Sequence, residues 1–212
     1  MKVSRASEYA LVLAYEGEAT LERQERIWAL AAQARSEAAI LEAVPGMNNL
    51  TLFLRDPQAD ADTLAARLLA ATAAAGPAAA EAAPRSVEIP VCYGGDAGPD
   101  LPEVAELCGL APDEVVRAHA GALYVVYFLG FTPGFAYLGG LDPRISVPRR
   151  ATARTRVPAG SVGIGGAQTG IYPRQGPGGW HLIGRTEIAL FDWRNAPPAL
   201  LRAGDRVRFV PQ

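Results

Sequence analysis

Glycine and proline are concentrated in one stretch of the chain, and this limits what its C-terminal half can fold into. Thirteen of the 22 glycines lie between Gly130 and Gly184, together with six prolines. Both residue types destabilise helix interiors, so no helix of useful length is expected there. Short apolar runs recur through the same half, and they fit the strands of a closed or nearly closed barrel. The sequence therefore predicts a mostly β C-terminal half.

The N-terminal part instead alternates between strand and helix signals. Residues 7–15 alternate as a strand, Thr20 is placed to cap a helix running to about Glu42, and residues 50–54 alternate as a second strand. Asp60 is placed to begin another helix, which runs to about Ala75. This β-α-β-α order predicts a small ferredoxin-like domain.

A low-complexity segment, residues 71–85, contains three helix breakers and indicates a domain boundary. We therefore predict two domains, residues 1–80 and 86–212. The second begins with a strand at 86–93, short helices at 101–109 and 112–119, and a buried strand at 122–129. The predicted fold class is α+β: a ferredoxin-like N-terminal domain followed by a mostly antiparallel β-barrel domain.

The positively charged side chains are concentrated in one segment of the C-terminal half. No Asp or Glu lies between Pro143 and Thr186, whereas seven arginines do: Arg144, Arg149, Arg150, Arg154, Arg156, Arg174 and Arg185. Guanidinium groups bind phosphate and carboxylate in a bidentate manner, so the group predicts a small anionic ligand. A solvated basic face is the alternative for any one of them. Arg154, Arg156 and Arg185 are the arginines that we expect to bind the anion.

Several classes of function are disfavoured by composition. Lys2 is the only lysine, which leaves this chain no Schiff-base, biotin-accepting or phosphate-loop lysine in its interior. An apolar stretch long enough to span a membrane is missing, and a pI of 5.8 argues against nucleic-acid binding. Two cysteines, Cys92 and Cys108, do not make a disulfide framework, so a cytoplasmic location is expected. Metal-ligand spacing is also lacking, so no metal held by the chain is expected.

Aromatic residues alternate with glycines in two segments, GFTPGFAYLGG (130–140) and PGGWHLIGRT (177–186). Such a pattern is typical of a pocket wall that a ligand approaches closely, and a rigid turn packed under the barrel is the alternative. The predicted wall consists of Phe131, Pro133, Gly134, Phe135, Tyr137, Tyr172, Gly178, Gly179 and Trp180. Gln168 and Thr186 are expected to orient polar ligand atoms.

One further segment and the two histidines of the chain also allow predictions. GSVGIGG (160–166) lacks the spacing of a phosphate loop and is interpreted as a tight β turn. His119, at a helix end before a buried strand, is the acid–base candidate, with a structural role as the alternative. His181 is expected to be a strand residue that faces solvent.

Long motifs of the C-terminal half closely resemble the family of the 5-oxoprolinase B subunit, also catalogued as allophanate hydrolase subunit 1 and including a sporulation-kinase inhibitor. They are GFTPGFAYLGGLDPRI, VPRRATARTRVPAGSVGIGGAQTGIYP and GPGGWHLIGRT. The resemblance implies a cyclophilin-like barrel and pairing with the homologous C subunit of the same complex, together with its A subunit. It implies ATP as co-substrate, with Mg supplied by the nucleotide, for opening 5-oxoproline to glutamate.

Two function hypotheses follow from this resemblance. In the first, the chain is one subunit of an ATP-hydrolysing 5-oxoprolinase; a carboxyltransferase component of the allophanate hydrolase or urea carboxylase type is a variant of it. In the second, the chain inhibits a sensor histidine kinase without chemistry. The fold does not separate them, because both use the same one.

Overall fold

The computed structural model describes residues 1–75 and 85–212 of the chain, which divides into two units, Met1–Ala83 and Pro84–Gln212. Each unit has its own hydrophobic core. The predicted boundary segment, 71–85, falls largely outside the described residues. The domain limits 1–80 and 86–212 therefore stay a prediction.

Within the described residues, the N-terminal unit contains β1 (Lys2–Ser7), β2 (Ala10–Ala14), α1 (Leu21–Arg35), β3 (Ile40–Pro45), β4 (Asn49–Leu54) and α2 (Ala61–Ala75). Its strands form one antiparallel sheet in the order β1-β2-β4-β3. The elements thus follow a β-β-α-β-β-α order. The predicted β-α-β-α order missed two strands, because the expected strand at 7–15 is the second strand of a hairpin and the expected long helix ends early.

Two predicted helix starts are confirmed by their hydrogen bonds. The hydroxyl of Thr20 accepts from the backbone N–H of Arg23 at 3.3 Å, just before α1. The carboxylate of Asp60 accepts from the backbone N–H of Thr63 at 3.1 Å, just before α2. Each bond satisfies a donor that the first turn of a helix leaves unpaired.

The prediction that the first helix extends to about Glu42 is wrong. The helix ends at Arg35, and β3 begins at Ile40. Ile40 and Ala43 are buried, whereas Leu41 and Glu42 are exposed, because the pairing with β4 shifts register between Ile40 and Glu42. This irregularity removes the strict alternation by which a strand is recognised in a sequence.

The C-terminal unit contains β5 (Ser86–Tyr93), α3 (Leu101–Cys108), α4 (Pro112–Gly121), β6 (Tyr124–Leu129), β7 (Ala136–Gly139), a short 3-10 turn (Pro143–Ile145), β8 (Arg154–Val157), β9 (Ser161–Gly165), β10 (Gln168–Ile171), β11 (Gly176–Gly178), β12 (His181–Arg185) and β13 (Arg206–Pro211). Seven strands close into a barrel in the order β10-β7-β6-β13-β5-β12-β9, and β8 pairs with β11 as a separate ribbon. Only β13 and β5 pair in parallel within the barrel. The predicted α+β class with a mostly antiparallel barrel is confirmed.

Alternation along the barrel strands separates core residues from residues of the outer face. Ala136 and Leu138 of β7 belong to the barrel core, and so do Val162 and Ile164 of β9. The residues between them therefore face outward, among them Tyr137. This alternation decides which side chains reach the candidate site described below. None of the described helices is both long and apolar enough to cross a bilayer.

Candidate functional site

Five residues of the predicted pocket wall lie together outside the barrel core. The ring centroid of Phe135 is 4.9 Å from that of Tyr137, 5.3 Å from that of Tyr172 and 5.6 Å from that of Trp180. Phe131 lies at the edge, with its centroid 5.4 Å from that of Phe135. The rings meet edge to face, the arrangement that their quadrupoles favour. We call these five residues the aromatic cluster.

Trp180 packs on three glycines at outward positions of strands β9 and β10, Gly163, Gly165 and Gly170. A methyl group on Gly165 would lie 2.5 Å from Cδ1 of Trp180, and one on Gly170 would lie 3.1 Å from its Cζ3. Gly163 is also close, since a methyl there would lie 3.2 Å from Cβ of Trp180. A Cβ at Gly165 would clash with the indole, whereas one at Gly163 or Gly170 would require a shift of a few tenths of an ångström. The glycine density thus builds a flat surface that receives an aromatic ring.

Two sequence interpretations change with this arrangement. The interpretation of GSVGIGG as a tight turn is wrong, because residues 161–165 form the barrel strand β9. Positive φ angles occur within this segment only at its two ends, Gly160 and Gly166. Gly178 of the predicted wall plays a packing role, because a methyl group on it would lie 2.4 Å from the hydroxyl of Tyr172. Gly179 accepts the backbone N–H of Arg150 through its carbonyl at 2.9 Å.

The loop before β7 forms one side of an open groove of about 480 Å³. Phe131 has φ of +64°, a conformation costly for a residue with a Cβ, and its side chain is 61% exposed. Gly134 approaches Phe191 so closely that a methyl group on it would lie 2.6 Å from Cβ of Phe191. The groove is lined by Leu129, Gly130, Phe131, Thr132, Pro133, Gly134, Phe191 and Ala199. Phe131 therefore connects the groove with the aromatic cluster.

Arg154, one of the predicted anion-binding residues, is paired within the chain. Its Nη2 donates to Oδ1 of Asp100 at 2.6 Å, and Arg150 Nη1 lies 3.3 Å from the same oxygen. The other carboxylate oxygen of Asp100 accepts the backbone N–H of Leu182 at 2.7 Å. Asp100 is 4% exposed, so this pair is largely desolvated. The charge of Arg154 is therefore compensated by Asp100 before any ligand binds.

A second carboxylate extends this network. Glu103 accepts from Arg150 at 2.8 Å and lies 3.5 Å from Nδ1 of His181. His181 donates from Nε2 to the carbonyl of Pro148 at 3.1 Å, and its Nδ1 is buried without a hydrogen-bond partner. The prediction that His181 faces solvent is wrong, because the side chain is 4% exposed.

The structure separates two of the remaining predicted anion ligands, Arg185 and Thr186, from Arg154. Arg185 is the last residue of β12, four residues beyond His181 and thus about 13 Å away along the strand, and Thr186 follows it. Arg185 lies 3.6 Å from Glu187, and the hydroxyl of Thr186 accepts the backbone N–H of Ile188 at 3.3 Å. Arg156 is exposed on β8, two residues from Arg154 and on the same side of that strand. Arg185 and Thr186 therefore lie away from Arg154, whereas Arg156 lies beside it.

His119, the acid–base candidate, lies inside the barrel with no exposed surface. Its Nδ1 is 2.7 Å from the hydroxyl of Tyr93, and its Nε2 is 2.9 Å from Oγ1 of Thr169. The Thr169 hydroxyl donates its only proton to the carbonyl of Gly163, so Nε2 of His119 must donate to Thr169. Because burial disfavours the charged ring, Nδ1 carries no proton and accepts from the hydroxyl of Tyr93.

Burial lowers the pKa of His119 to about 3, because the charged ring would lack water. Burial also raises the pKa of the Tyr93 phenol far above its usual value, so this neighbour keeps its proton. The catalytic role of His119 stays a prediction. The geometry favours the structural alternative, since both ring nitrogens are already bonded inside the core.

The sequence also led to expectations about a metal ion and a nucleotide. Among the described residues, no cluster of three or more His, Cys, Asp or Glu side chains could hold a metal ion. ATP with its Mg stays an expectation drawn from the resemblance.

Sequence reasoning missed two residues of this region. Asp100 directly precedes the helix predicted at 101–109 and was given no functional role; its carboxylate makes no capping bond and instead accepts hydrogen bonds from Arg154 and from the backbone of Leu182. Arg149 belongs to the basic segment but was not selected from it. The backbone bond from Arg150 to Gly179 places Arg149 beside the turn that carries Trp180. The absence of acidic residues around Arg149 was the available signal.

Comparison with known sequences identifies relatives of the whole chain. The profile of the family described as "Carboxyltransferase domain, subdomain C and D" matches residues 1–201. The B subunit of 5-oxoprolinase from Escherichia coli O157:H7 is 52% identical over 205 residues, which cover 97% of this chain and 93% of that protein.

Solved structures agree on the fold. TTHA0988 superposes with a TM-score of 0.79 at 40% identity; the match covers 96% of this chain but only 40% of that protein. The urea carboxylase of Kluyveromyces lactis superposes with a TM-score of 0.80 at 21% identity, over 99% of this chain and 21% of that one. At that identity the second likeness establishes the fold alone.

Proposed function

The chain belongs to the family of the 5-oxoprolinase B subunit, and from this membership we propose that it is one subunit of an ATP-dependent 5-oxoprolinase. The complex would open the ring of 5-oxo-L-proline to give L-glutamate, with the homologous C subunit and the A subunit as partners. The observation that carries the proposal is the nearly full-length match to the Escherichia coli protein.

The proposed reaction explains the need for ATP. A lactam amide is a poor electrophile, and transfer of the γ-phosphoryl group to its carbonyl oxygen releases ADP and activates the carbon. Water then attacks this carbon, and the ring C–N bond breaks as the nitrogen takes up a proton, which leaves an acyl phosphate. A second water hydrolyses the acyl phosphate to the carboxylate of glutamate and inorganic phosphate. Such chemistry depends on positioning and on positive groups around the transferred phosphoryl group.

This chain would supply part of such a site. The aromatic cluster offers apolar surface for a small ring, and the basic segment from Arg149 to Arg156 borders it. Arg150 and Arg154 are already paired with Asp100, so the phosphoryl-binding groups are expected to come largely from the partner subunits.

The family description favours one second candidate, a carboxyltransferase-type component that moves a carboxyl group rather than opening a lactam. The two candidates differ in product. The first releases glutamate and phosphate in a reaction dependent on 5-oxoproline, and the second carboxylates an amide acceptor.

The test is reconstitution of the complex. The chain is co-expressed with its homologous C subunit and with the A subunit, and ATP hydrolysis and glutamate are measured with and without 5-oxoproline. Stimulation of both by 5-oxoproline, lost when this chain is omitted, is the expected result. If partners that are active with the Escherichia coli B subunit stay inactive with this chain, the proposal is wrong. Carboxyl transfer from carboxybiotin to an amide would then favour the second candidate.

A further inference from the structure

Exposed arginines without a carboxylate partner lie along the ribbon formed by β8 and β11. Of the seven arginines between residues 143 and 186, four form an ion pair with a carboxylate: Arg144, Arg150, Arg154 and Arg185. The other three are exposed, and in the part of the chain that the structure describes they have no ion pair: Arg149, Arg156 and Arg174. The ribbon therefore carries positive charge that this chain does not compensate.

Strand pairing places these three arginines in order along the ribbon. Arg149 lies at one end, because the next residue donates its backbone N–H to the carbonyl of Gly179, just after β11. Arg174 lies at the other end, two residues before β11 begins, and the five residues from there to Gly179 span about 17 Å when extended. Arg156 lies between them on β8 and faces away from the aromatic cluster, since its neighbour Val157 packs into that cluster.

This spacing fits an extended partner surface better than one small anion. Guanidinium groups bind an anion through N–H···O contacts of about 2.7–2.9 Å, so several arginines serve one phosphate only where they converge. Arg174 is instead held at its own end of the ribbon, because its Nε donates to Oγ1 of Thr132 at 2.7 Å. The three charges are therefore placed to meet several carboxylates that are spread over the surface of a protein.

The open groove adjoins the Arg174 end of the ribbon. Thr132, the partner of Arg174, lines this groove, and its neighbour Phe131 is 61% exposed. Trp193, which is 79% exposed, follows Phe191 of the groove wall by two residues. Aromatic residues and arginine are the side chains most enriched in protein interfaces and in their energetic centres. The ribbon and the groove together thus combine dispersed cations with an apolar anchor.

We propose that the β8–β11 ribbon and the adjoining groove form the surface that binds the homologous C subunit. The facing surface of that subunit then carries carboxylates opposite the three arginines and an apolar side chain that enters the groove. A second copy of this chain is disfavoured, because a two-fold dimer through this surface would place the arginines of both copies opposite one another. The inference rests on the proposed function, which supplies the C subunit as the partner.

The test measures the affinity of the full chain for the C subunit by calorimetry, at low and at high salt. A ribbon variant that combines Arg149→Gln, Arg156→Gln and Arg174→Gln should bind at least about tenfold more weakly at low salt. The difference should shrink at high salt, because salt screens exposed charges. Phe131→Gly should weaken binding at both salt concentrations, since an apolar contact is not screened.

A matched control removes the same charge from the same unit. It carries Arg→Gln changes at three exposed arginines outside the ribbon, Arg117, Arg202 and Arg208, and should bind the C subunit as the wild type does. Equal affinity of the ribbon variant and this control would overturn the interface, even if the complex is an active 5-oxoprolinase. Failure of the wild-type chain to bind the C subunit would overturn it as well.

The remaining outcomes separate the interface from other uses of the ribbon. Unchanged affinity for the C subunit together with a raised KM for ATP in the ribbon variant would assign the arginines to the nucleotide and overturn the proposal. A changed oligomeric state of the chain alone, seen by analytical ultracentrifugation without a change in C-subunit affinity, would assign them to a second copy and also overturn it. Conversely, ribbon-dependent binding of the C subunit in a complex that does not turn over 5-oxoproline would support the interface and reject the proposed reaction.

Discussion

Oδ1 of Asp100 and Nη2 of Arg154 lie 2.6 Å apart, joining the start of α3 to β8 across 54 residues of sequence. The second oxygen of Asp100 holds the backbone of β12 at Leu182. One buried carboxylate therefore ties together a helix, the β8–β11 ribbon and a barrel strand. The basic segment is held beside Trp180 in this way, because Arg150, also bonded to Asp100, precedes the ribbon.

Replacing Asp100 by alanine should destabilise the chain substantially. The change leaves Arg154 without its buried partner and the Leu182 N–H unpaired. A loss of about 2–4 kcal/mol in the free energy of unfolding is expected, less than the roughly 3–5 kcal/mol for a fully buried pair, because the Arg154 side chain is 27% exposed. Urea denaturation measures it. Asp96→Ala, at an exposed position, is the control, and equal stability of the two variants would contradict the prediction.

A methyl group at Gly165 should disturb the packing of Trp180. Gly165→Ala places Cβ 2.5 Å from the indole, so the ring must move, at a cost of about 1–3 kcal/mol. Gly176→Ala is the matched control, since nothing lies within 4 Å of its added methyl group. Thermal unfolding and near-ultraviolet circular dichroism report stability and the tryptophan environment. If Gly165→Ala behaves like the control, the glycine surface is not needed for packing.

These two contacts also show what a sequence can predict. The glycine and proline density of residues 130–184 excluded helix for a local reason, so the β class of this half was predictable. The role of Gly165 was not predictable, because the ring that packs on it belongs to Trp180, in another segment of the chain. The segment GSVGIGG was therefore interpreted as a turn, although its residues alternate as they do in a strand.

The candidate site was predictable to a similar extent. The aromatic residues could be picked out as a group because each lies in a glycine-rich segment, and their rings do lie together, whereas their role as a pocket wall stays a prediction. Paired and unpaired arginines could not be told apart, because the sequence does not show that Asp100 compensates the charge of Arg154 while Arg149 remains unpaired. That difference depends on a contact between residues far apart in the chain.

Phe131 offers a test in which activity and stability should respond differently. Its positive φ disfavours any residue with a Cβ, so Phe131→Gly should keep the stability or raise it by up to about 1 kcal/mol. Removing an exposed ring from the groove should nevertheless lower kcat/KM of the reconstituted complex at least tenfold. Leu123→Ala, a second exposed apolar position, should leave both unchanged. Wild-type activity of Phe131→Gly would exclude the groove from the reaction.

The buried imidazole of His119 should make stability depend on pH. Its folded pKa of about 3 lies below the usual 6.5, so the unfolded chain takes up the proton first as the pH falls. The stabilisation is complete above pH 6.5 and is lost between pH 6.5 and 3, by up to about 1.4 kcal/mol per pH unit. Urea unfolding at pH 7, 6 and 5 should show a steeper loss for the wild type than for His119→Gln, whose amide can keep both hydrogen bonds. If that variant does not fold, an NMR titration of the wild type decides instead: a His119 ring signal that titrates near pH 6.5 would show that the imidazole is accessible, and the acid–base role would regain support.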